Sequence, residues 1–475
     1  MSSARAVALR LFLTCWLVYG LHFATNIVRE VYLGLAIGDH LSFRVDEYAG
    51  LHPDLFDKPG YGWHIGNNPG ASMVAAIPYA VARPMVDLVV ERVNSSRKAS
   101  GAQPPRYDSP WPMARAFFEE SWRRGYDVKF ALGAWVMHTF CMAPLSALSV
   151  ALMYLLLRRW FGPGSVSLWL ALLYAFGTPL FFRTGYLNQN MIAGHCALAG
   201  FAALWMMDTR RGALLAGLAG GTALLMDYSG AVVLAALLGY CLWTRRRDLA
   251  ACLAGAVPPV LLLWFYQWQS FGNPFLPGQH WMPPVEWIER GYQGVSGPQP
   301  ELAWMLAFDY RFGLFAVCPL FLLALAAPWL KRSPVPGRAV AAMLGTAALL
   351  LAFFSCVNYT RLQFNTGLRY MAPALPLLYI PAAAVLARLP RAAQYFIGVA
   401  AVAQAWSMAM YRDVERGWGV LDPIARVLAG GFQLPALTTL ARLGGRTELL
   451  ELGVSPLPLF ALAAALIYGI WRKWE

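Results

Sequence analysis

The chain has 475 residues, 58% of them hydrophobic and 13% charged, with a formal net charge of +13. Soluble chains carry about 25% charged residues, so an aqueous globular enzyme is excluded and a bilayer is the expected solvent. The positive charge does not indicate nucleic acid, because the arginines gather at the ends of apolar runs, where the positive-inside rule puts them.

Apolar runs of about 18–25 residues recur, long enough to cross about 30 Å of hydrocarbon as helices. Backbone polar groups in lipid must be satisfied within their own segment. The expected fold is therefore an all-α polytopic membrane protein with about 12 transmembrane helices. The spans read at 7–27, 131–157, 163–182, 189–207, 212–227, 229–243, 249–267, 313–330, 338–356, 371–387, 393–410 and 456–471. The first has no small-residue cleavage site after it and reads as an anchor that stays in place. Asp227-Tyr228 separates two short spans that read as a tight hairpin.

After the first span comes the densest run of carboxylates in the chain. Glu30 to Met73 holds six (Glu30, Asp39, Asp46, Glu47, Asp54, Asp57), with two basic residues and three histidines. It ends in the turn signal Asn67-Asn68-Pro69-Gly70. We read it as an acidic, loop-rich active-site segment laid against the membrane. The apolar stretch 71–90 follows, interrupted by Pro78, Arg83, Pro84 and Asp87. A charge at bilayer centre costs at least about 2.5–3.5 kcal/mol. If 71–90 does not cross, seven basic groups share one side: Arg5/Arg10, Arg158-Arg159, Arg210-Arg211, Arg245 to Arg247, Lys331-Arg332, Arg388/Arg391 and Arg472-Lys473. The expectation is an interfacial helix at 71–90, inside a large extracytoplasmic first loop at 28–128. Both termini are then cytoplasmic, in an inner or plasma membrane. The segments 268–312, 357–370 and 411–455 also lie outside, the first of them a second long loop rich in Pro, Gly and Trp. No further soluble domain is expected, so 1–475 reads as one membrane domain.

The seven cysteines fall in or beside apolar segments with no CxxC spacing, and read as buried apolar residues. The seven histidines lack metal spacing, and His52 and His64 with Asp54 form only a weak candidate site. No cofactor is expected, a divalent metal being compatible but not demanded. His195, one turn inside a span, reads as a satisfied core histidine.

The outer segments combine carboxylates with cations, which suits an acceptor to deprotonate and a phosphate to hold. Two carboxylates lead as catalytic candidates. Glu30 follows the first span directly. Asp46 has Glu47 beside it, and a like charge raises a pKa toward the range of a base. The substrate-binding candidates are Arg369, Arg361, Lys58, His64 and Arg311. Each has a plainer reading beside it. Asp39 fits the polar face of an amphipathic helix, Asp54 and Asp57 fit turn formation, and Arg369 fits a snorkelling interface anchor.

Several motifs carry a resemblance. They are Gly66-Asn67-Asn68-Pro69-Gly70-Ala71-Ser72, Leu157-Arg158-Arg159-Trp160-Phe161-Gly162, Phe176-Gly177-Thr178-Pro179-Leu180, Phe271-Gly272-Asn273-Pro274-Phe275, Asp309-Tyr310-Arg311-Phe312-Gly313-Leu314-Phe315 and Gly367-Leu368-Arg369-Tyr370. In this order the chain resembles the C-type integral-membrane glycosyltransferases. The nearest branch is that of protein O-mannosyltransferases and lipid A aminoarabinose transferases. The resemblance implies an inverting transfer from a polyprenyl-phosphate-linked sugar donor to a lipid, glycan or protein acceptor on the outer face. It also implies an Asp after the first span as base, and membrane-proximal Arg or Lys on the donor phosphate. This chain departs from the pattern in two places. Arg29-Glu30 stands where the family usually has an Asp, and Asn67-Asn68-Pro69-Gly70 stands where relatives often have Lys-Pro-Pro. Two other classes use similar scaffolds: a lipid-carrier flippase or transporter, and a non-catalytic assembly subunit. A transporter would carry ionisable residues through the midplane, whereas here they crowd the span ends.

Overall fold

The computed structural model describes residues 4–472 apart from 108, 110, 285, 364–366, 413, 415–416 and 444–454. Parts of the segments 357–370 and 411–455, and Lys473 of the last basic group, lie outside the described residues.

Every one of the twelve apolar segments is helical or broken-helical. The first is α1, Ala4–Leu21. Residues 28–128 then supply α2 (Arg29–His40), an antiparallel hairpin of β1 (Leu55–Lys58) and β2 (Gly62–Ile65), α3 (Gly70–Ser100) and α4 (Pro112–Arg123). Next come α5 (Asp127–Met137) and α6 (Ala143–Phe161), joined by a π-turn, then α7 (Ser165–Phe176) and the short α8 (Leu180–Arg183). The middle of the chain forms α9 (Gln189–Met206), α10 (Arg210–Met226), α11 (Gly230–Thr244) and α12 (Leu249–Phe271). Two short helices, α13 (Glu286–Glu289) and α14 (Pro300–Phe308), lie in the long segment 268–312. The span expected at 313–330 is broken into α15 (Leu314–Val317) and α16 (Leu322–Ala326), flanked by 3₁₀ turns at Pro319–Phe321 and Ala327–Trp329. Pro319 and Pro328 open or occupy those turns and cannot donate to the helical ladder. The chain continues through α17 (Gly337–Ser355), α18 (Leu375–Leu386), α19 (Arg391–Met410), α20 (Asp422–Gly430), α21 (Pro435–Leu443) and α22 (Leu457–Trp471).

The acidic segment departs from the loop-rich reading. Val31, Tyr32, Leu33, Leu35 and Ala36 are buried, so the start of α2 is a core helix that packs along α3. The stretch expected as an interfacial helix at 71–90 is part of α3, which runs unbroken for 31 residues past Pro78 and Pro84. Ala71, Ser72, Ala75, Ala76 and Tyr79 face the protein, while Ile77, Val81, Met85 and Leu88 form an exposed apolar stripe. By length and composition α3 is one of five described helices able to cross a membrane; the others are Ala4–Leu21, Asp127–Phe161, Arg246–Phe271 and Gly337–Ser355. Its charges are partly neutralised, because Arg83 pairs with Asp87 at 3.3 Å and with Asp39 at 3.4 Å.

Between helices in lipid there is no hydrophobic drive, so close approach depends on small residues. The tightest contact of that kind is α10 on α12. A Cβ on Gly217 would stand 1.7 Å from the Cys252 carbonyl oxygen, and one on Gly255 would stand 2.0 Å from that of Leu214. Gly217→Ala is therefore expected to destabilise the fold by about 1–3 kcal/mol through overpacking. Thermal unfolding in detergent checks it; an unchanged midpoint would show that the two backbones are not in contact.

Candidate active site

Three distant pieces of chain meet beside the start of α2. The first is the helix start itself. Glu30 is 5% exposed, and its carboxylate is oriented by a long-range partner: Asn67 Nδ2 donates to Glu30 Oε1 at 2.9 Å. Ser72 Oγ holds the Glu30 main-chain oxygen at 2.8 Å, and Arg29 Nε lies 3.4 Å from the same Oε1. Oε2 receives no hydrogen bond from a described residue.

Arg29 is tied to Asp54 by an ion pair from Nη1 to Oδ2. Burial works against the Arg29 charge, but Asp54 and then Glu30 outweigh it and hold its pKa above the ordinary value. Burial likewise opposes the Asp54 charge, yet Arg29, His52 and Arg369 keep its pKa below the usual carboxylate range. His52 Nδ1 accepts the Asp54 amide proton at 3.0 Å. That lone pair is therefore engaged, and burial holds the His52 pKa below its ordinary value. His52 is a poor base in this setting and serves to shape the Asp54 turn.

The second piece carries Arg369. Leu368 before it adopts a left-handed conformation, φ 60°, which costs a non-glycine residue about 1–2 kcal/mol. Gln363 Oε1 accepts from the Arg369 amide at 3.0 Å and helps to hold this turn. The guanidinium lies over the Tyr370 ring at 5.2 Å and has no ion-pair partner among the described residues. The third piece is Arg183 at the end of α8. It is 1% exposed and stands 5.2 Å from the Tyr186 ring, as does Arg412, whose Nη1 donates to the Phe182 carbonyl at 2.9 Å. Burial depresses the Arg183 pKa, and the charge of Arg369 depresses it further. Burial lowers Arg412 to about 10.

Arg29 thus joins Asp54 and Glu30, and Arg369 lies in electrostatic reach of both Asp54 and Arg183. Desolvated like charges are costly unless an anion joins them. The arrangement is suited to a doubly charged phosphate with a carboxylate beside it.

Of the seven candidates from the sequence, Glu30 and Arg369 come together here, both within electrostatic reach of His52. The other five lie elsewhere. Asp46 is exposed, bound to Arg44 Nε at 2.8 Å and to the Trp63 amide at 3.0 Å. Its expected like-charge elevation does not arise: burial works upward, but the Trp63 amide and Arg44 bring its pKa below the ordinary value. The role visible in its contacts is to pin the hairpin. Gly62 sits there at φ 91°, and a Cβ on it would fall 2.6 Å from both Arg44 Nε and Asp46 Oδ1. Lys58 lies 3.4 Å over the Trp281 ring. His64 is buried with its ring nitrogens 3.1 and 3.2 Å from the Phe43 and Tyr61 carbonyls, and burial lowers its pKa. Arg311 forks onto Asp309 at 3.2 Å. Arg361 bridges Gln299 at 3.0 Å and Glu301 at 3.5 Å, joining the segments 268–312 and 357–370. His195 Nε2 lies 2.9 Å from Ser146 Oγ while its buried Nδ1 has no hydrogen-bond partner among the described residues, so this core histidine is satisfied on one side only.

Arg183, Arg412 and Asn67 were not selected from the sequence. A usable signal existed for the arginines. Both follow spans on the side assigned to the exterior, where the positive-inside rule does not call for them. Asp39, His40 and Glu47 bring ligand atoms within 4.8 Å of one another. Asp39, however, is already neutralised by Lys129 at 2.7 Å and Arg83 at 3.4 Å, and takes a hydrogen bond from Tyr79 at 2.9 Å. The group reads as an ion-pair network.

Residues 131–267, from within α5 to within α12, match the model of the dolichyl-phosphate-mannose-protein mannosyltransferase family. The whole chain is similar in fold to the crystal structure of ArnT from Cupriavidus metallidurans in the apo state. That likeness has a TM-score of 0.52 at 16% identity and covers 99% of this chain and 76% of that one. The crystal structure of the same protein bound to undecaprenyl phosphate gives 0.52 at 15%, over 99% and 77%. No curated protein matches. The chain has the fold of the C-type integral-membrane glycosyltransferases, as its motifs imply.

Proposed function

We propose that this protein moves a sugar from a polyprenyl-phosphate donor to an acceptor on the outer face of the membrane. The observation that carries the reading is a buried, oriented Glu30 carboxylate beside the Arg29 guanidinium, with Arg369 in electrostatic reach of Asp54 and of Arg183. Asn67 and Arg29 engage Glu30 Oε1, which leaves Oε2 to take the acceptor's proton. The acceptor oxygen or nitrogen then forms a bond to the anomeric carbon. The bond from that carbon to the phosphate oxygen breaks, and polyprenyl phosphate leaves with its added negative charge. Arg369 and Arg183 stabilise that charge. Attack opposite the leaving group inverts the anomeric centre. Glu30 ranks above Asp46 as the base, because Asp46 is solvated and held by Arg44. No step needs a metal.

The reading is tested with the purified full chain in nanodiscs containing decaprenyl-phosphate [¹⁴C]mannose and native membranes as the acceptor source. Label is expected to pass into an envelope fraction, and excess bare decaprenyl phosphate is expected to inhibit while decaprenol is not. Equal inhibition by decaprenol would remove the phosphate from the recognition and the reading with it.

The outer-face placement has its own check. We infer that both termini are cytoplasmic and that α3 ends outside the cell. Ser100 is exposed at the end of α3, whereas Ser121 in α4 is 1% exposed and makes a poor probe. A cysteine at Ser100 is expected to react with an impermeant maleimide in intact cells. Labelling only after permeabilisation would put the C-terminal end of α3 in the cytoplasm and make α3 a span.

A further inference from the structure

Next to Glu30 lies a group of buried amides that the transfer chemistry leaves unused. Asn68 Nδ2 donates to the Leu224 carbonyl at 2.5 Å, and Gln189 Nε2 donates to Asp227 Oδ2 at 2.6 Å. Leu224 lies in the last turn of α10 and Asp227 is the residue that ends it. Asn188 Oδ1 accepts the Met191 amide at 3.3 Å and caps α9. These bonds fix which way each amide is turned, since a flip would set oxygen against oxygen or N–H against N–H. What remains is Asn68 Oδ1, Gln189 Oε1 and Asn188 Nδ2, all buried and without a hydrogen-bond partner among the described residues. Their side chains belong to residues only 1%, 7% and 4% exposed. Buried polar atoms are nearly always paired, so three open ones around a single helix end point to a missing ligand.

The position links them to the transfer site. Asn67, the neighbour of Asn68, holds Glu30. Tyr359 lies within electrostatic reach of both Asp227 and Arg29, and its ring centroid is 6.1 Å from that of Tyr370. Tyr370, next to Arg369, also donates from its hydroxyl to the Tyr359 carbonyl at 3.1 Å, so Tyr359 connects the two regions.

We propose that Asn68, Asn188 and Gln189 form a subsite that binds the hydroxyl groups of a neutral sugar and disfavours an amino sugar. This rests on the transferase reading. Two acceptors and one donor match hydroxyls, which both give and take hydrogen bonds. An ammonium would need a carboxylate with free capacity, and the open Glu30 Oε2 is the one that takes up the acceptor's proton in the transfer. Asp227 already takes the Ser229 amide at 2.9 Å, the Ser229 hydroxyl at 2.5 Å and Gln189, and Asp54 is committed to Arg29. Arg29, Arg183 and Arg369 repel a second cation.

The test measures affinities of the full chain in nanodiscs for decaprenyl phosphate, decaprenyl-phosphate mannose and the decaprenyl phosphate of a 4-amino pentose. The mannosyl lipid is expected to bind at least about tenfold tighter than the bare lipid, and the amino pentosyl lipid no tighter than the bare one. Asn188→Ser keeps a capping oxygen and removes the Nδ2 donor, leaving a shorter hydroxyl at the cap. Gln189→Met removes an acceptor without touching α9's cap. Each is expected to lower mannosyl-lipid affinity about fivefold or more and to leave bare-lipid affinity unchanged. Equal wild-type affinity for bare and mannosyl lipid would overturn the subsite, leaving ordered water as the amides' partner, and needs no variant to fold. A preference for the amino sugar, or equal losses for both lipids in the variants, would overturn it too. A chain that binds none of the three lipids would instead overturn the transferase reading itself.

Discussion

Glu30→Gln is expected to lower sugar transfer by about 10²–10⁴-fold, the usual loss on removing a positioned base. The substitution keeps the shape, and the glutamine oxygen can still accept from Asn67, whose Nδ2 lies 2.9 Å from Glu30 Oε1. The loss should therefore fall on turnover, with donor affinity and the unfolding midpoint near wild type. Arg29 loses one of its two anionic neighbours but keeps Asp54. Asp46→Asn serves as the contrast. Asp46 is exposed and bonded to Arg44 and the Trp63 amide, so its loss should loosen the hairpin and leave transfer within a few-fold. If Asp46→Asn abolished transfer in a folded chain while Glu30→Gln did not, the base would have to be sought outside the Arg29 cluster.

Arg369→Ala should raise the KM for the polyprenyl-phosphate donor by about 10–100-fold, the scale of one lost charge-assisted hydrogen bond to a phosphate. The guanidinium has no ion pair to give up among the described residues, so its removal should cost little stability. It should even relieve Arg183, whose pKa its charge depresses after burial has done so. Arg369→Lys should restore the charge but not the fork, and recover only part of the affinity. This pattern separates phosphate binding from snorkelling at the interface. An anchor would tolerate Lys fully, and Ala would then lower stability while sparing the KM.

Much of the scaffold was legible because bilayer physics is local in sequence. A run of apolar residues must be a helix wherever it meets lipid, and each apolar segment from Ala4 to Trp471 follows that rule. The break at 313–330 has its cause in Pro319 and Pro328, visible in the sequence but outvoted by apolar length. The stretch 71–90 was read from its charges one by one. In the fold Arg83 finds Asp39 on α2 as well as Asp87 on its own helix, so its cost depends on a partner 44 residues away.

The site divides in the same way. The sequence by itself determined the solvent, the helical class, the acidic segment, and the two candidates that proximity to a span singled out, Glu30 and Arg369. Only the tertiary structure decided their company. Asn67 reaches Glu30 from 37 residues on and Arg29 meets Asp54 across 25, while Arg183 and Arg369 come from segments far apart in the chain. Adjacency misled at Asp46, because neighbouring side chains on a turn need not share an environment, and there the nearest charges belong to Arg44. Burial and charge act through space over a few ångströms, so they are properties of the packed chain, whereas helix formation in lipid is a property of each short stretch of it.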